Sequence, residues 1–211
     1  SFSKIRSNFT YWDSIETYKG DSCVISTGHG FCGLSRKQLL LILQDRAREL
    51  GVAMEFESEI ENIDAFADAD VILAADGANS MVRALHAEHF QPDIDWRKCK
   101  FAWFGTTKNL DAFTFVFKET EWGLFQVHAY PFEDNLSTWI VECHEDVWKR
   151  AGLDQLDETA SAAFCKKIFA DELGDADLLL NGSQWRTFPT VKNRNWSHQN
   201  IVLIGDAAHT A

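Results

Sequence analysis

The chain contains 211 residues, of which 45% are hydrophobic and 13% aromatic, enough to bury the core of one large domain or two small ones. Its 32 acidic and 20 basic residues give a net charge of −12, which argues against a nucleic-acid partner because phosphate contacts need clustered lysine and arginine. No apolar run approaches the roughly 20 residues that cross a bilayer, so we expect no membrane segment. The five cysteines form no C-x-x-C pair, which predicts reduced thiols in a cytoplasmic protein.

The N-terminal part alternates between short predicted strands and one long helix. The pattern predicts a strand over residues 23–27, a helix over residues 35–50 and a second strand over residues 52–57. Gly51 follows the helix at the position where glycine commonly ends one. The helix is predicted from an apolar stripe at helical spacing, formed by Leu39, Leu40, Leu43, Ala47 and Leu50.

Two predicted buried strands are each followed by a turn that carries an aspartate. Residues 70–75 lead into Asp76-Gly77 and then a short helix, and residues 201–204 lead into Gly205-Asp206. A carboxylate at the end of a strand can accept hydrogen bonds from sugar hydroxyls, and the N–H groups of a following helix attract anionic oxygens. The two turns together therefore predict a site for a nucleotide-like cofactor.

The middle of the chain is rich in aromatic and β-branched residues separated by short polar joins, which predicts an antiparallel sheet. A helix is predicted over residues 159–172, with Ala163, Phe164, Ile168 and Phe169 turned inward. On the strand over residues 122–130, alternate side chains share a face. We predict that this face contacts a substrate through Gln126, His128 and Tyr130, the alternative being a solvent-exposed face.

These patterns predict a mixed α/β fold in which two parts are interleaved. Residues 1–98 and 188–211 have α/β character, and residues 99–187 form the antiparallel sheet with its helix. His86 and His89 lie three residues apart in a predicted helix, but no carboxylate or cysteine constellation accompanies them. We therefore predict no metal site, and the sequence identifies no catalytic side chain.

Gly28-His-Gly-Phe-Cys-Gly33 matches the G-x-G-x-x-G pattern of dinucleotide-binding loops. The helix begins only after the third glycine, and bulky residues occupy a loop that should approach a ligand closely. We interpret the match as misleading, with a NAD(P) dehydrogenase as the alternative. Arg36, in the first turn of the helix, opposes the helix dipole at a cost of about 0.3–1 kcal/mol. That position suits an arginine that reaches an anionic ligand, although an exposed arginine is equally compatible.

The order and separation of these motifs resemble the FAD-dependent aromatic hydroxylases of the para-hydroxybenzoate hydroxylase type. The motifs are Ser35-Arg36-Lys-Gln-Leu-Leu40, Asp76-Gly-Ala-Asn-Ser-x-x-Arg83 and Gly205-Asp-Ala-Ala-His209. The segments around His128-Ala-Tyr130 and Ser137–Cys143 are similar to the aryl-CoA hydroxylases that act on salicylyl-CoA or 2-aminobenzoyl-CoA. The resemblance covers essentially the whole chain.

The resemblance implies a role for each matching residue. Asp206 would hydrogen-bond the flavin ribityl chain, with Gly205 permitting close approach. Asp76 and Gly77 would lie near the FAD pyrophosphate and influence NAD(P)H binding. Arg83 would be the basic end of that motif, and Arg36 would contact FAD. It also implies that residues 1–98 and 188–211 are parts of a Rossmann-like FAD-binding domain whose first βαβ unit and last portion lie outside these residues, so that this piece alone would bind FAD poorly.

The function implied is hydroxylation of an activated aromatic ring by a flavin-dependent monooxygenase that uses NAD(P)H and O2, with an aryl-CoA thioester as the favoured substrate. One alternative is a hydroxylase of a free aromatic or indole substrate. An alternative of another class is a non-catalytic fragment that binds no flavin. The expected partners are thus a small aromatic molecule and O2, with neither nucleic acid nor membrane.

Overall fold

The computed structural model describes residues 2–210, which form parts of two compact units. The first unit comprises Ser1–Met54 and Cys99–Arg186, and the second comprises Glu55–Lys98 and Thr187–Ala211. Within residues 2–210, no helix has both the length and the apolar character needed to cross a membrane. The mixed α/β class expected from the sequence is confirmed.

The helices and strands are numbered here in chain order. The strands are β1 (Thr10–Trp12), β2 (Ile15–Lys19), β3 (Ser22–Ser26), β4 (Phe31–Gly33), β5 (Ile72–Ala74), β6 (Pro92–Thr106), β7 (Phe113–Thr120), β8 (Gly123–Glu133), β9 (Leu136–His144), β10 (Leu178–Leu179), β11 (Arg186–Asn193), β12 (Ser197–His198) and β13 (Ile201–Leu203). The α-helices are α1 (Phe2–Arg6), α2 (Arg36–Glu49), α3 (Met81–Leu85), α4 (Ala87–Phe90), α5 (Glu145–Arg150), α6 (Glu158–Ile168) and α7 (Ala170–Leu173). Short 3-10 turns cover Ile63–Phe66, Leu153–Gln155 and Gly205–Ala207.

The first unit is built on a large sheet with strand order β10-β6-β9-β8-β7-β2-β3. The strands β6, β9, β8 and β7 pair antiparallel as predicted, but β2 pairs in parallel with β7. This pairing places β2 and β3 in the sheet, so residues 1–54 belong to the first unit. The sequence had instead grouped them with residues 55–98.

One face of this sheet is packed against the helices α5, α6 and α7. Alternate residues of β8 point into the resulting core, because side chains of a strand alternate between its two faces. The largest fully buried side chains of the core are Phe104, Phe125, Trp139, Leu153, Phe169 and Leu173. The opposite face of β8 carries Gln126, His128 and Tyr130, all half-buried, so the predicted sharing of one face is confirmed.

The second unit contains a small sheet with strand order β12-β13-β5, in which β13 and β5 are parallel. Its core is formed by Ile63, Ala74, Val82, Phe90, Ile201, Leu203, Ala207 and Ala208. The predicted strand over residues 70–75 is shorter than expected, and its Val71 and Leu73 are exposed rather than buried.

Two other predictions about local structure were wrong. Residues 52–57 alternate like a strand but form none, since Glu57 adopts a left-handed backbone with φ of 55° that interrupts an extended chain. The stripe on α2 is also less buried than its spacing suggested, because Leu40, Leu43 and Leu50 are exposed and only Ile42 is fully buried. Gly51 does end α2 in a left-handed conformation, with φ of 75°.

The helix predicted over residues 159–172 is interrupted. It divides into α6 and α7 at Phe169, whose φ of −108° and ψ of 25° depart from helical geometry. The inward face of α6 also differs from the prediction, because Ala163 is exposed whereas Ala162 and Cys165 are buried. Phe169 is fully buried as expected.

Candidate functional site

The two aspartate turns follow neighbouring parallel strands. Leu203 of β13 is paired with Ala74 of β5, and the N–H of Ile204 donates to the carbonyl of Ala74 over 2.9 Å. The carboxyl ends of the two strands therefore lie at one edge of the sheet. In open α/β sheets this edge is where ligands bind, and Asp76 and Asp206 both follow it directly.

The first turn is held by its own side chains. The carboxylate of Asp76 accepts a hydrogen bond of 3.1 Å from the N–H of Val82, and Ser80 Oγ accepts one of 2.9 Å from the N–H of Arg83. Two orphan N–H groups of α3 are thereby satisfied within the protein. Gly77 completes the turn with φ of 85°, a conformation that favours glycine. Asp76 therefore stabilises the turn that follows β5 at this edge of the sheet.

The second turn, Gly205-Asp206, has free space around its glycine. Gly205 has φ of 56°, and a Cβ atom placed there would meet nothing within 4 Å. The side chain of Asp206 is exposed and makes no hydrogen bond or ion pair within residues 2–210. A free carboxylate beside an uncrowded glycine can accept hydrogen bonds from the hydroxyls of a polyol chain that lies against the backbone.

Arg83 links the two turns. Its side chain is 4% exposed, and Nη1 donates to the carbonyl of Ala207 over 3.0 Å while Nη2 donates to the carbonyl of Ala78. Burial lowers the pKa of the Arg83 guanidinium, and the carboxylate of Asp76 opposes that effect. Two of its donors are therefore used inside the second unit. The structure gives Arg83 a positioning function that the sequence did not suggest.

Arg36 lies in the first unit, whereas the other predicted cofactor residues lie in the second. It is the first residue of α2, it is exposed, and its guanidinium has no hydrogen bond or ion pair among residues 2–210. Ser35 stands at the N-cap without a capping hydrogen bond from its side chain. The first unit also has an open cavity of about 700 Å³ beside this helix, lined by residues that include Ser35, Lys37, Gln38 and Phe132.

The backbone N–H groups of the G-x-G-x-x-G loop are hydrogen-bonded within the protein, to Asp13. The N–H groups of Gly28 and Gly30 donate to the two oxygens of Asp13 over 2.8 and 3.2 Å, and the N–H of His29 donates to the carbonyl of Asp13 over 3.1 Å. Gly33 lies in β4, where an added Cβ would come within 2.7 Å of the Pro131 carbonyl oxygen. The loop therefore connects β3, which pairs antiparallel with β2, to β4, which pairs antiparallel with β1 in a separate two-stranded sheet, and this supports the interpretation that the match is misleading.

The face of the large sheet opposite α5, α6 and α7 carries an aromatic surface. Tyr130 stacks on Trp12, with ring centroids 5.9 Å apart, and on Phe113, at 5.2 Å. Phe31 lies 5.9 Å from both Trp12 and Phe113. Burial raises the pKa of Tyr130, although a hydrogen bond with Thr138 acts in the opposite direction. Such a surface suits a planar aromatic ring, since offset stacking of aromatic groups is favourable.

A polar cluster interrupts this aromatic surface. Glu142 lies directly across from Gln126 in the β8–β9 pairing and accepts a hydrogen bond of 2.6 Å from its Nε2. The other carboxylate oxygen of Glu142 lies 3.7 Å from Nδ1 of His128. Burial lowers the pKa of His128, and the charge of Glu142 partly offsets this. Sequence reasoning missed Glu142, for which the available signal was an acidic residue inside the apolar strand β9.

Three histidines of the second unit lie against one another. His89 stacks on His198 with ring centroids 3.5 Å apart, and His86 lies 5.6 Å from His198. The described residues contain no group of three or more His, Cys, Asp or Glu side chains suited to a metal ion. Burial raises the pKa of the Cys143 thiol to about 12, which makes it unreactive at neutral pH.

A model of the family described as "FAD binding domain" matches residues 65–211. The chain therefore belongs to this family of FAD-binding proteins, as its resemblance to the FAD-dependent aromatic hydroxylases implied. The Gly205-Asp206 turn fits such a cofactor, because among residues 2–210 the Asp206 carboxylate has no hydrogen-bond or ion-pair partner and a Cβ at Gly205 would meet nothing within 4 Å.

Individual proteins make the likeness more specific. The chain is 39% identical over 209 residues to salicyloyl-CoA 5-hydroxylase from Streptomyces sp, a match that covers 95% of this chain and 40% of the relative. It is 33% identical over 209 residues to 3-hydroxy-4-methyl-anthranilyl-[aryl-carrier protein] 5-monooxygenase from Streptosporangium sibiricum, covering 99% of this chain and 55% of the relative. The chain thus spans about half the length of these curated relatives.

The fold is shared with a solved oxygenase structure. The tetrameric form of 2-methyl-3-hydroxypyridine-5-carboxylic acid oxygenase superposes with a TM-score of 0.73 at 18% identity. The match covers 98% of this chain and 60% of the other. At this level of identity the similarity concerns the fold alone, and the role of each site residue has to be argued from its own contacts.

Proposed function

We propose that the whole protein containing this chain is a flavin-dependent monooxygenase that hydroxylates an activated aromatic ring, with an aryl-CoA thioester as substrate and NAD(P)H and O2 as co-substrates. The observation that carries the proposal is the half-buried aromatic face of the large sheet, with a polar cluster among its rings. The salicyloyl-CoA and aryl-carrier-protein substrates named for the relatives support the choice of a ring held as a thioester.

FAD, when bound and reduced by NAD(P)H, supplies the activated oxygen in this class of reaction. The residues of this chain would bind and orient that group. Asp206 would accept hydrogen bonds from the ribityl hydroxyls, and Gly205 would let the backbone approach them. Arg36 would pair with the pyrophosphate, since an exposed guanidinium is well suited to bidentate binding of phosphate.

Asp76 and Gly77 are proposed to form the rim of the cofactor site that also affects NAD(P)H binding. Their turn is preorganised by the bonds from Val82 and Gly77's positive φ. Arg83 would hold this rim and the Gly205-Asp206 turn at a fixed separation. A preorganised site binds more tightly because less conformational entropy is lost when the ligand arrives.

The substrate ring would lie against the aromatic face near Tyr130 and Phe113. Stacking would orient it, and the polar groups of Gln126, His128 and Tyr130 would hydrogen-bond its substituents. Because these side chains are half-buried, their contacts are stronger than they would be in water.

The five cysteines are free thiols, which supports the cytoplasmic location expected from the sequence.

Two measurements on the whole purified protein test this proposal. The first is its flavin absorbance spectrum, before and after incubation with FAD. A colourless protein that FAD does not reconstitute would indicate a non-catalytic chain. The second is NADH and NADPH oxidation with an aryl-CoA thioester, the matching free aryl acid and an indole. Stimulation by the thioester alone supports the proposal, whereas stimulation by the free acid or indole alone would reassign the substrate class.

A further inference from the structure

The polar cluster on the aromatic face sets the hydrogen-bonding state of His128. A neutral imidazole carries its proton on one ring nitrogen and presents an acceptor at the other. The Nδ1 atom of His128 faces a carboxylate oxygen of Glu142 at 3.7 Å. A carboxylate only accepts hydrogen bonds, so its proximity favours the tautomer with the proton on Nδ1.

Glu142 is itself held in place. Its second oxygen accepts the hydrogen bond of 2.6 Å from Gln126, which lies directly opposite in the strand pairing. Its side chain is 21% exposed, so the carboxylate is largely fixed between the two strands. The amide of Gln126 therefore keeps one carboxylate oxygen occupied and leaves the other facing His128.

The Nε2 atom of His128 has no hydrogen-bond partner in the described part of the chain. It is also not among the buried polar atoms that lack partners, so it is open to a ligand. The surrounding surface is aromatic, with Phe113 and Phe115 ring centroids 6.3 and 6.4 Å from the imidazole. Burial lowers the pKa of His128, although the charge of Glu142 acts in the opposite direction, and the net lowering favours the neutral ring.

We infer that Glu142 is a specificity-determining positioning residue: through His128 it presents a hydrogen-bond acceptor to the substrate ring and selects rings that carry a donor, a hydroxyl or an amino group. The inference rests on the proposed function, because it assumes that the ring lies on this face. A ring that carries only an acceptor, such as a methoxy group, would leave two acceptors facing each other.

The experiment measures equilibrium binding to the whole flavin-loaded protein without NAD(P)H, so that no turnover occurs. The ligands are 2-hydroxybenzoyl-CoA, 2-methoxybenzoyl-CoA and benzoyl-CoA. The wild-type protein should bind the hydroxy thioester at least about tenfold more tightly than the methoxy one, since a polar site rejects a ligand that leaves its group unpaired. In Glu142→Gln the amide can donate to Nδ1 and move the proton to Nε2, so the preference should vanish or reverse.

Glu121→Gln is the matched control, because Glu121 is an exposed carboxylate outside the cluster in the turn before β8. It should keep the wild-type preference. If Glu142→Gln weakens all three ligands equally, or leaves the preference intact, Glu142 has at most a structural role and the inference is overturned. If the flavin-loaded wild-type protein binds none of the thioesters, the proposed function fails together with the inference.

A second measurement tests the inference in the wild-type protein, so it does not depend on whether Glu142→Gln folds. The ¹⁵N NMR shifts of His128 in the wild-type protein at pH 7 report which ring nitrogen carries the proton. The inference predicts the Nδ1–H tautomer. A spectrum of the Nε2–H tautomer, or of the doubly protonated ring, would overturn it even if the thioesters bind as proposed.

Discussion

The Nη1 atom of Arg83 donates a hydrogen bond of 3.0 Å to the carbonyl of Ala207, a residue 124 positions later in the chain. Its Nη2 atom donates to the carbonyl of Ala78, so one buried guanidinium connects the two aspartate turns. The turns follow neighbouring parallel strands, and the arginine fixes their separation within the second unit. The sheet edge that carries the two aspartate turns therefore depends on a residue whose donors point into the protein.

Replacing Arg83 with Met should lower the free energy of unfolding by about 2–4 kcal/mol, because two buried carbonyls lose charged hydrogen-bond donors. Arg83→Lys should recover only part of the loss, since a single ammonium cannot reproduce the guanidinium fork. Urea unfolding of the whole protein measures the effect. Arg36→Met is the matched control and should leave stability unchanged, because Arg36 is exposed and unpaired among the described residues. If Arg83→Met and Arg36→Met lowered the free energy of unfolding equally, the buried hydrogen bonds of Arg83 would not be what stabilises the second unit.

Asp206→Ala should weaken FAD binding by tenfold or more without unfolding the second unit. The carboxylate makes no internal hydrogen bond in the part of the chain that the structure describes, so its removal affects only the ligand. Each tenfold loss corresponds to about 1.4 kcal/mol. Titration of the flavin-free whole protein with FAD, followed by absorbance, gives the affinity. An unchanged affinity would remove Asp206 from the proposed site.

Asp13→Ala should loosen the glycine loop and leave FAD affinity unchanged. The substitution removes the carboxylate that accepts from the N–H groups of Gly28 and Gly30. Each such hydrogen bond contributes about 0.5–1.5 kcal/mol to the free energy of unfolding. In the variant, the amide hydrogens of Gly28 and Gly30 should therefore exchange with solvent at least several-fold faster than in the wild-type protein. Hydrogen exchange followed by mass spectrometry measures this. Loss of FAD binding without faster exchange would instead favour a nucleotide-binding loop.

The stacked histidines His89 and His198 should make the second unit less stable at mildly acidic pH than at neutral pH. Desolvation lowers the pKa of His198, and positive charge on His89 and His86 lowers it further. Because the folded pKa lies below the unfolded value of about 6.5, the stabilisation is present above pH 6.5 and is lost as the pH falls. Thermal melting between about pH 7 and 5 should show this decline, and His198→Gln should reduce it.

His209→Gln is the control for the histidine stack, since it removes an imidazole from the same unit outside the stack. It should retain the wild-type pH dependence. A melting temperature that declines equally in the wild-type protein and His198→Gln would show that other groups cause the effect.

The features that the sequence predicted well are local. An apolar run followed by Asp-Gly or Gly-Asp predicted both strand-to-turn junctions, and alternation along β8 predicted which face carries Gln126 and His128. Each of these depends only on neighbouring residues. By contrast, residues 52–57 alternate equally well but form no strand, and the alternation gives no sign of the left-handed backbone at Glu57 that interrupts the extended chain.

The features that the sequence missed depend on pairing between distant segments. Glu142 acquires its role from its register opposite Gln126, and Arg83 acquires its partners from the parallel alignment of β5 and β13. The parallel pairing of β2 with β7 likewise joins segments nearly a hundred residues apart, as Ile15 and Phe113 show. A single sequence carries no direct signal of such registers.

The central claim is tested most directly by a turnover experiment with ¹⁸O2. The whole flavin-loaded protein is supplied with NAD(P)H and a hydroxyaryl-CoA thioester, and the product is examined by mass spectrometry. The account predicts a ring that has gained one ¹⁸O atom, with product formed in proportion to NAD(P)H consumed. An unmodified ring, or an added oxygen that derives from water, would contradict it.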